Sequence, residues 1–409
     1  MASSTTYDSI YSLIESLPVV STHEHHLTDD FQNSLTLDRI LQRERSYVGW
    51  VLDLTPGLDA SSRAEFLAQC RHNSYYVWLE KGIQRVYGFR EKIAPENWDA
   101  VSQQISDFHA DRDAHLRILT ETGRYRRAIE DAYFDPGSNL GHPELFASNF
   151  RSDMFVRCFH PDVLDHDNMN PFRFYADAPS GNFDDYLEWL EARVLRWRSG
   201  GGVALKSASA YDRPLSYGEG DRAAAAQVFG KRPDAASPGE RTAYEDFMLN
   251  WFCRLAVRLE VPFQVHTGLA QLSGSRPLLF EPTIMRHPDV HFVLFHAGFP
   301  WYGEVAGLAH NHANISLDMV WAPLISATAA IAALHQFLEV ARSSDRIAWG
   351  SDTWTSEEAI GALLAWQHVV ATVLSEKVDS GYFDMAEAEV LVHKLMYRNA
   401  SRLYGFNIA

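Results

Sequence analysis

Short apolar runs, several of them β-branched, recur along the chain, and longer segments with the apolar spacing of helices separate them. Runs of this kind, bounded by small or polar residues, are typical of buried strands. The eight predicted strands are residues 17–20, 127–130, 154–157, 203–206, 261–265, 291–295, 314–317 and 346–349. Because strands that alternate with helices build a parallel sheet, they predict an α/β fold, the (β/α)₈ TIM-type barrel. The alternative is an open, doubly wound sheet, but the first run lacks the Gly-rich turn of a nucleotide-binding sheet.

A long segment between the first and second predicted strands does not belong to a minimal barrel. Residues 31–110, called the insertion below, have a largely helical pattern. A segment inserted after a barrel strand lies over the mouth where active sites are found. We therefore predict a single barrel domain over residues 1–409 with a helical insertion at about 31–110. Residues 211–240, rich in Gly, Pro, Asp and Arg, predict a mobile loop after the fourth strand.

Composition narrows the classes of partner. With 46% hydrophobic residues among 409, the chain can bury a large core. Its 36 Lys and Arg against 53 Asp and Glu give a formal net charge of −17. Nucleic acid and anionic membranes need clustered basic residues, so we expect neither as a partner and predict a small-molecule substrate. Barrels of this type often associate through exposed helices, so a homo-oligomer is a further expectation.

The cysteines and the N-terminus bear on the compartment. Cys70, Cys158 and Cys253 are widely separated and form no CxxC pattern, which is typical of reduced thiols. The first residues show no basic segment followed by an apolar one, so no signal peptide is predicted. We also find no apolar run of about 20 residues, the length that spans a bilayer. The sequence therefore predicts a cytoplasmic, soluble protein.

Histidine and aspartate follow four of the predicted strands. These residues are His23 and His25 after the first strand, His266 after the fifth, His296 after the sixth and Asp352 after the eighth. The carboxyl ends of parallel strands meet at one rim of a barrel. Because side chains alternate along a strand, His23 and His25 share one face and can reach the same ion.

Three imidazoles and one carboxylate suit a borderline divalent cation. We predict that His23, His25, His266 and Asp352 bind zinc, with manganese or iron as alternatives. A metal of this kind lowers the pKa of a bound water to about 7 and polarises a carbonyl group. His296 then remains free to move protons.

The order of these motifs resembles the amidohydrolase superfamily. The chain carries HEH after the first strand, HTG after the fifth, HAG after the sixth, WGSD after the eighth and NASRLYG at 399–405. It is most similar to the amidohydrolase-2 branch, which contains aminocarboxymuconate-semialdehyde decarboxylase-like enzymes, and to FluG-type amidohydrolase domains. Residues 203–211 and 277–279 are similar to the FluG type in particular. The resemblance implies a barrel with the metal ligands named above and a His296 that binds a second metal or acts on the substrate.

Lys206 has two interpretations within that resemblance. Binuclear members carry a carbamylated lysine on the fourth strand, and Lys206 lies in that strand. It is either a bridging ligand for a second metal, with His296, or a cation that pairs with a substrate carboxylate. We favour the cation, because members of this branch usually use one metal. The expected metal content is therefore one or two ions.

Three further residues are candidates for binding the substrate. Arg213 follows the fourth strand and is a candidate partner for a carboxylate, although an ordinary loop arginine is an equal alternative. Trp321 and Trp354 follow the seventh and eighth strands and are candidate walls of the pocket, against the alternative of simple packing. His160, at the predicted end of the third strand, departs from the Arg-Ile-Glu pattern expected in FluG-like relatives.

These residues predict a metal-dependent hydrolase that acts on a C–N or C–O bond of an amide, lactone or related carbonyl. Asp352 would take the proton of the attacking water, and His296 or a second metal would stabilise the oxyanion. The first alternative is non-hydrolytic decarboxylation of an aromatic or unsaturated carboxylic acid, and the next is uronate isomerisation. A catalytically silent binding barrel is the alternative from another class. The loss of a ligand would be its signature, and all five positions are present.

Overall fold

The computed structural model describes residues 5–43 and 45–408. The strands of this described part form one parallel sheet in the order β1 to β8 along the chain. They are β1 (Val19–Glu24), β2 (Tyr125–Glu130), β3 (Phe146–Arg151), β4 (Ala204–Ser207), β5 (Phe263–Val265), β6 (Phe292–Leu294), β7 (Ile315–Asp318) and β8 (Ile347–Ala348). Thr22 N donates to Trp349 O at 3.1 Å and thereby joins the first strand to the end of the last. The predicted (β/α)₈ barrel is confirmed.

The helices form a layer around the barrel and a separate group in the insertion. Those up to the second strand are α1 (Thr5–Ser16), α2 (Asp29–Gln32), α3 (Leu37–Ile40), α4 (Tyr47–Leu52), α5 (Ala60–Cys70), α6 (Ser74–Tyr87), α7 (Trp98–His109) and α8 (Ala114–Arg117). Those between β3 and β6 are α9 (Asp153–Arg157), α10 (Pro171–Phe174), α11 (Phe183–Ser199), α12 (Arg222–Val228), α13 (Pro238–Leu259) and α14 (Glu281–Arg286). The remaining ones are α15 (Tyr302–Asn311), α16 (Ala322–Ile325), α17 (Ala327–Val340), α18 (Ser356–Asp379), α19 (Met385–His393) and α20 (Asn399–Tyr404).

Seven predicted strands overlap observed ones, and the third was wrong. Residues 154–157 lie in helix α9, and the strand is β3, eight positions earlier. Strand β3 is buried along its whole length although it carries Ser148, Asn149 and Arg151 among its apolar residues. A short apolar run has no period that separates strand from buried helix, so the Met154–Val156 run was misread. Because the third strand was placed too late in the chain, Arg151 was not identified as the residue that ends it.

The insertion is helical, as predicted, and it is fixed to the barrel by close backbone packing. Helix α6 lies against α18, and two glycines allow the contact. A Cβ on Gly82 would lie 2.3 Å from Glu357 O, and a Cβ on Gly361 would lie 2.5 Å from Trp78 O. Any larger residue at either position would force the two helices apart.

Helix α18 is long and apolar enough to cross a membrane by length and composition, although the sequence predicts no apolar run of that length. In the structure, 89% of its apolar window is buried inside the protein. Trp366 from this helix stacks on Trp349 with the ring planes 4° apart. Helix α18 is therefore a core helix of the barrel layer. Residues 211–240, predicted as a mobile loop, contain helix α12.

Candidate active site

A cavity of about 350 Å³ lies at the carboxyl ends of the strands. A volume of this order suits a small molecule. Most of the predicted site residues line it, together with residues from the insertion and the strand-end loops. The lining residues are His23, His25, Tyr47, Trp50, Tyr133, Arg151, His166, Asp167, Asn168, Lys206, Ala208, Tyr211, His266, His296, Trp321, Asp352 and Trp354.

His23, His25 and Asp352, called the strand-end cluster below, converge at the base of this cavity. The Nε2 atoms of His23 and His25 are 3.2 Å apart. Asp352 Oδ1 lies 3.2 Å from His25 Nε2 and 3.6 Å from His23 Nε2. Ligands on a tetrahedral zinc ion are separated by roughly 3.4 Å, given bonds of about 2.0 to 2.2 Å. The three donor atoms therefore fit one ion of this size.

Backbone hydrogen bonds between the first and last strands set the positions of these side chains. Asp352 N donates to His23 O at 2.9 Å, and His25 N donates to Thr353 O at 3.0 Å. Asp352 has a φ of 64°, in the left-handed region that most side chains avoid. His296 and Trp321, also in the cavity wall, have φ values of 63° and 61°. Such conformations persist where the surrounding structure enforces them, often at functional sites.

Glu24 holds the loop around Asp352 from behind. Its buried carboxylate accepts hydrogen bonds from the Ser351 hydroxyl and from Thr353, whose Oγ1 lies 3.1 Å from Oε2. These two residues flank Asp352 in sequence. Glu24 alternates with His23 and His25 along the strand and therefore points away from the cavity. Its hydrogen bonds fix the peptide units on both sides of Asp352 and so position that carboxylate.

Burial and the contact between His25 and Asp352 determine the protonation of the strand-end cluster. Burial, with the nearby charge of Lys206, holds the pKa of His23 well below its ordinary value, so the ring is neutral at pH 7. Burial opposes ionisation of Asp352, yet the hydrogen bond and charge of His25 lower the pKa of Asp352 to about 2. His25 Nδ1 lies 2.8 Å from Asp131 O, which can only accept, so Nδ1 carries a proton. Burial opposes protonation of His25, yet the hydrogen bond and charge of Asp352 raise the pKa of His25 above its ordinary value. An ion at the cluster would therefore displace the Nε2 proton that His25 directs at Asp352.

His266 and His296 form a second pair of imidazoles beside the strand-end cluster. His266 Nε2 lies 2.7 Å from Leu269 O, and its Nδ1 lies 2.9 Å from His296 Nε2. His296 Nδ1 is 3.8 Å from Asp352 Oδ2. The structure thus places His266 against His296, and His296 between His266 and Asp352. Burial lowers the pKa of both imidazoles, that of His296 to about 4.

Lys206 lies next to the strand-end cluster. Its Nζ is 3.5 Å from His23 Nε2 and 3.9 Å from the centre of the Phe295 ring. Burial lowers the pKa of Lys206 to about 8. The amine is therefore within reach of both an ion at His23 and a molecule in the cavity.

The structure adds residues that the sequence reasoning missed. Asp131, which directly follows β2, has Oδ2 at 3.6 Å from His23 Nε2, and it joins His23 and His25 in a group that could hold a metal. Arg151 NH1 lies 2.7 Å from the same oxygen, and its NH2 lies 2.8 Å from Asp167 Oδ2. An acidic residue immediately after a predicted strand was an available signal for Asp131. Arg151 could not be found, because the third strand was misplaced.

Arg213 lies outside the cavity lining. Its NH1 is 3.1 Å from Glu245 Oε2, its NH2 is 2.9 Å from Asp246 Oδ1, and the guanidinium covers the Tyr217 ring. The carboxylates of Glu245 and Asp246 on α13 hold it away from the strand ends. This placement argues against the predicted contact with a substrate carboxylate, a position that Lys206 and Arg151 are better placed to fill.

Aromatic residues form the upper wall of the cavity. Trp321 and Trp354 line it, and Tyr47 from the insertion packs on both, with ring centres 4.8 Å and 4.9 Å away. Trp50, also from the insertion, lies 6.0 Å from Trp354. The insertion therefore supplies part of the cavity wall, at the mouth where it was predicted to lie.

Comparisons with known proteins agree with the barrel fold. The family model described as "Amidohydrolase" matches residues 160–406, more than half of the chain. The protein fluG of Emericella nidulans is 29% identical over 152 residues, 36% of this chain but only 18% of fluG. A uronate isomerase of Cutibacterium acnes is 22% identical over 97% of this chain and 94% of its own. The crystal structure of uronate isomerase from Thermotoga maritima has a TM-score of 0.77 at 15% identity, covering 98% of this chain and 97% of that one.

Proposed function

Because this chain belongs to the amidohydrolase family, we propose that it is a metal-dependent enzyme that hydrolyses a C–N or C–O bond of a small molecule in this cavity. The observation that carries the proposal is the convergence of two imidazole nitrogens and an ionised carboxylate within 3.6 Å of one another. A fold of this kind supports many reactions, so the assignment depends on the site and not on the barrel.

The strand-end cluster would hold the metal, with Asp131 as an additional carboxylate within reach. Imidazole and carboxylate donors favour zinc, and manganese and iron accept the same set. An ion there would lower the pKa of a water molecule and polarise the substrate carbonyl. We place one ion at the cluster and treat Lys206 as a cation.

Asp352 is the group that accepts the proton of the attacking water. It is ionised at neutral pH, it is held rigidly by its neighbours, and one oxygen remains close to His296. His296, buried between His266 and Asp352, is placed to pass that proton to the leaving group or to donate a hydrogen bond to the carbonyl oxygen.

Lys206 and the aromatic wall supply substrate binding. A protonated Lys206 would pair with a carboxylate or other anionic group on the substrate. Trp321, Trp354 and Tyr47 present flat apolar faces to the rest of the molecule. We therefore propose a small substrate that combines an anionic group with an apolar or ring-shaped body.

Isomerisation of a uronate is the second candidate. The match to the uronate isomerase of Cutibacterium acnes extends over 97% of this chain, whereas the match to fluG covers 36%. The same residues would serve, because Asp352 can move a proton between neighbouring carbons and Lys206 can pair with the sugar carboxylate. Identity of 22% leaves the choice between the two reactions to experiment.

One assay separates these reactions. The zinc-, manganese- and iron-loaded protein would be offered three panels in ¹⁸O-labelled water: amides and lactones with a carboxylate, uronates, and carboxylated aromatics. Hydrolysis splits the substrate and incorporates ¹⁸O at the new product group. Isomerisation converts an aldose into a ketose without splitting the substrate, and decarboxylation releases carbon dioxide. We expect labelled hydrolysis product, absent in the Asp352→Asn variant. Ketose formation from uronates alone would establish the second candidate instead, and carbon dioxide alone would contradict both.

A further inference from the structure

A second convergence of imidazole and carboxylate lies outside the cavity. Asp29 Oδ1 is 2.9 Å from His142 Nε2 and 3.2 Å from His115 Nε2. One ligand atom from each of these residues lies within 4.8 Å of the others. The ring centres of the two histidines are 5.9 Å apart, with the planes at 72°. His142 Nε2 also lies 3.1 Å from Asp29 Oδ2, so two imidazole edges face one carboxylate.

These residues come from three segments that meet beside the barrel. Asp29 is the first residue of α2, and His115 lies in α8, the helix that leads towards the second strand. His142 lies in the connection between β2 and β3. Asp29 and His115 thus stand immediately before and after the insertion.

The three side chains differ in their exposure to solvent. The side chain of His115 is 2% exposed, that of His142 is 17% exposed and that of Asp29 is 44% exposed. Within the described residues, His115 Nδ1 has no hydrogen-bond partner, so the polar contact of this ring is with Asp29. An ion could reach the group from the Asp29 side and contact both rings.

We propose that Asp29, His115 and His142 bind a divalent cation, zinc or another borderline ion, separate from the strand-end cluster. Two imidazoles and a carboxylate are the donors that zinc takes, and the two contacts to Asp29 have the spacing of ligands on one ion. A small approach of the two rings would complete the site. Water would occupy the remaining position on the solvent side.

The proposed ion would have a structural role. Helices α2 and α8 have four residues each, too few to be stable without tertiary contacts. A metal clip that closes a long loop removes entropy from the unfolded chain. By joining Asp29 to His115 and His142, the ion would fix both ends of the insertion, which supplies Tyr47 and Trp50 to the cavity wall.

Metal analysis of the full chain tests this site. The His23→Ala/His25→Ala variant would be saturated with zinc and desalted. Its zinc content per chain would then be measured by elemental mass spectrometry. Adding Asp29→Asn or His142→Ala is expected to lower the zinc content by about one equivalent per chain. Zinc is also expected to raise the Tm of the His23→Ala/His25→Ala protein by about 3 °C, and to leave Tm unchanged once Asp29→Asn is added.

His312→Ala is the matched control. Its side chain is 18% exposed and pairs with one carboxylate, Glu281, at 3.0 Å, much as His142 pairs with Asp29. It should keep the full zinc content. Asp29→Asn keeps the size of a half-exposed side chain, so it remains informative if a histidine variant does not fold. Equal zinc content and an equal zinc-induced shift in Tm with and without Asp29→Asn would overturn the proposal and leave Asp29 as an acceptor for two N–H donors.

Discussion

The strand-end cluster and the pair formed by His109 and Glu357 both bury imidazole and carboxylate, but their atoms face each other differently. In the cluster, two imidazole nitrogens approach to 3.2 Å, with Asp352 close to both. In the pair, His109 Nε2 lies 2.6 Å from Glu357 Oε1, and Tyr87 donates to the same oxygen at 2.5 Å. In the cluster, three atoms that can bind a metal converge on one point, whereas in the pair both contacts join a donor to an acceptor.

That difference separates a site for an ion from a structural contact. A carboxylate that accepts from an imidazole and a hydroxyl is a buried structural contact, and it joins α7 and α6 of the insertion to α18 of the barrel. Nitrogens that converge on each other repel unless a cation or a proton lies between them. Burial and residue type are alike in the two regions, so the convergence of a second imidazole nitrogen on the first is what distinguishes the cluster.

The largest effect is expected from Asp352→Asn. The amide keeps the size of the side chain but cannot accept the proton of the water, so kcat should fall by about 10² to 10⁴-fold. The measurement is the turnover of the substrate identified in the labelled-water assay, with circular dichroism to confirm the fold.

Asp345→Asn is the control for that variant. Asp345 precedes the last strand, at the opposite end of the barrel, and pairs with Arg402 at 2.8 Å. Its substitution should leave kcat unchanged. An equal loss of turnover in both variants would mean that charge or stability, and not the position of Asp352, determines the activity.

Glu357→Gln should destabilise the fold and spare the metal site. Replacing this buried carboxylate by an amide costs about 1 to 3 kcal/mol, because the hydrogen bonds from His109 and Tyr87 lose a charged acceptor. Denaturant unfolding would report the loss, and metal analysis should give the wild-type content. A variant with unchanged stability but less metal would reverse the roles assigned to the two regions.

The same pair predicts how stability depends on pH. Burial opposes ionisation of Glu357, yet the charge and hydrogen bond of His109 hold the pKa of this carboxyl at about 2, below its ordinary value of about 4.5. A lowered folded-state pKa contributes stability above about pH 4.5 that is lost as the pH falls through 2, about 3 kcal/mol in all. The free energy of unfolding, measured from pH 6 to 2, should fall less steeply in Glu357→Gln than in wild type. Parallel curves would contradict the lowered pKa.

The strand ends could be predicted because parallel strands place their carboxyl ends at one rim. His23, His25, His296 and Asp352 follow apolar runs whose positions are clear from the sequence alone. The direction of each ring could not be predicted. His266 turns towards His296 because Leu269 O binds its Nε2, a contact that depends on the loop after β5.

Other parts of the site depended on tertiary structure in the same way. Arg151 lies at the end of a strand whose sequence mixes polar and apolar residues, so no period marked it. Arg213 looked available in the sequence, but Glu245 and Asp246 from a helix later in the chain hold it. The mixed pattern of a fully buried strand decided the first case, and charge partners distant in sequence decided the second.

Trp354→Leu tests the cavity wall with a smaller expected effect. Losing the aromatic face should raise KM by about 2- to 10-fold and leave kcat close to wild type. Steady-state kinetics separates the two constants. A large fall in kcat with unchanged KM would assign Trp354 to the chemistry instead of to binding.

The smallest effect on catalysis is expected from Arg213→Ala. This residue lies outside the cavity lining, so kcat/KM should change by less than about 2-fold, while Tm falls because Glu245 and Asp246 lose a partner. Kinetics and thermal unfolding of the same preparation would show both. A selective rise in KM for carboxylate substrates would restore Arg213 as a binding residue.

Anomalous diffraction from crystals grown with zinc is the most direct test of the strand-end cluster. We expect a peak bonded to Nε2 of His23, Nε2 of His25 and a carboxylate oxygen of Asp352, at about 2.0 to 2.2 Å from each. A peak only at other residues, with these three side chains keeping their mutual contacts, would show that the convergence is structural and would remove the basis for a metal-dependent reaction here.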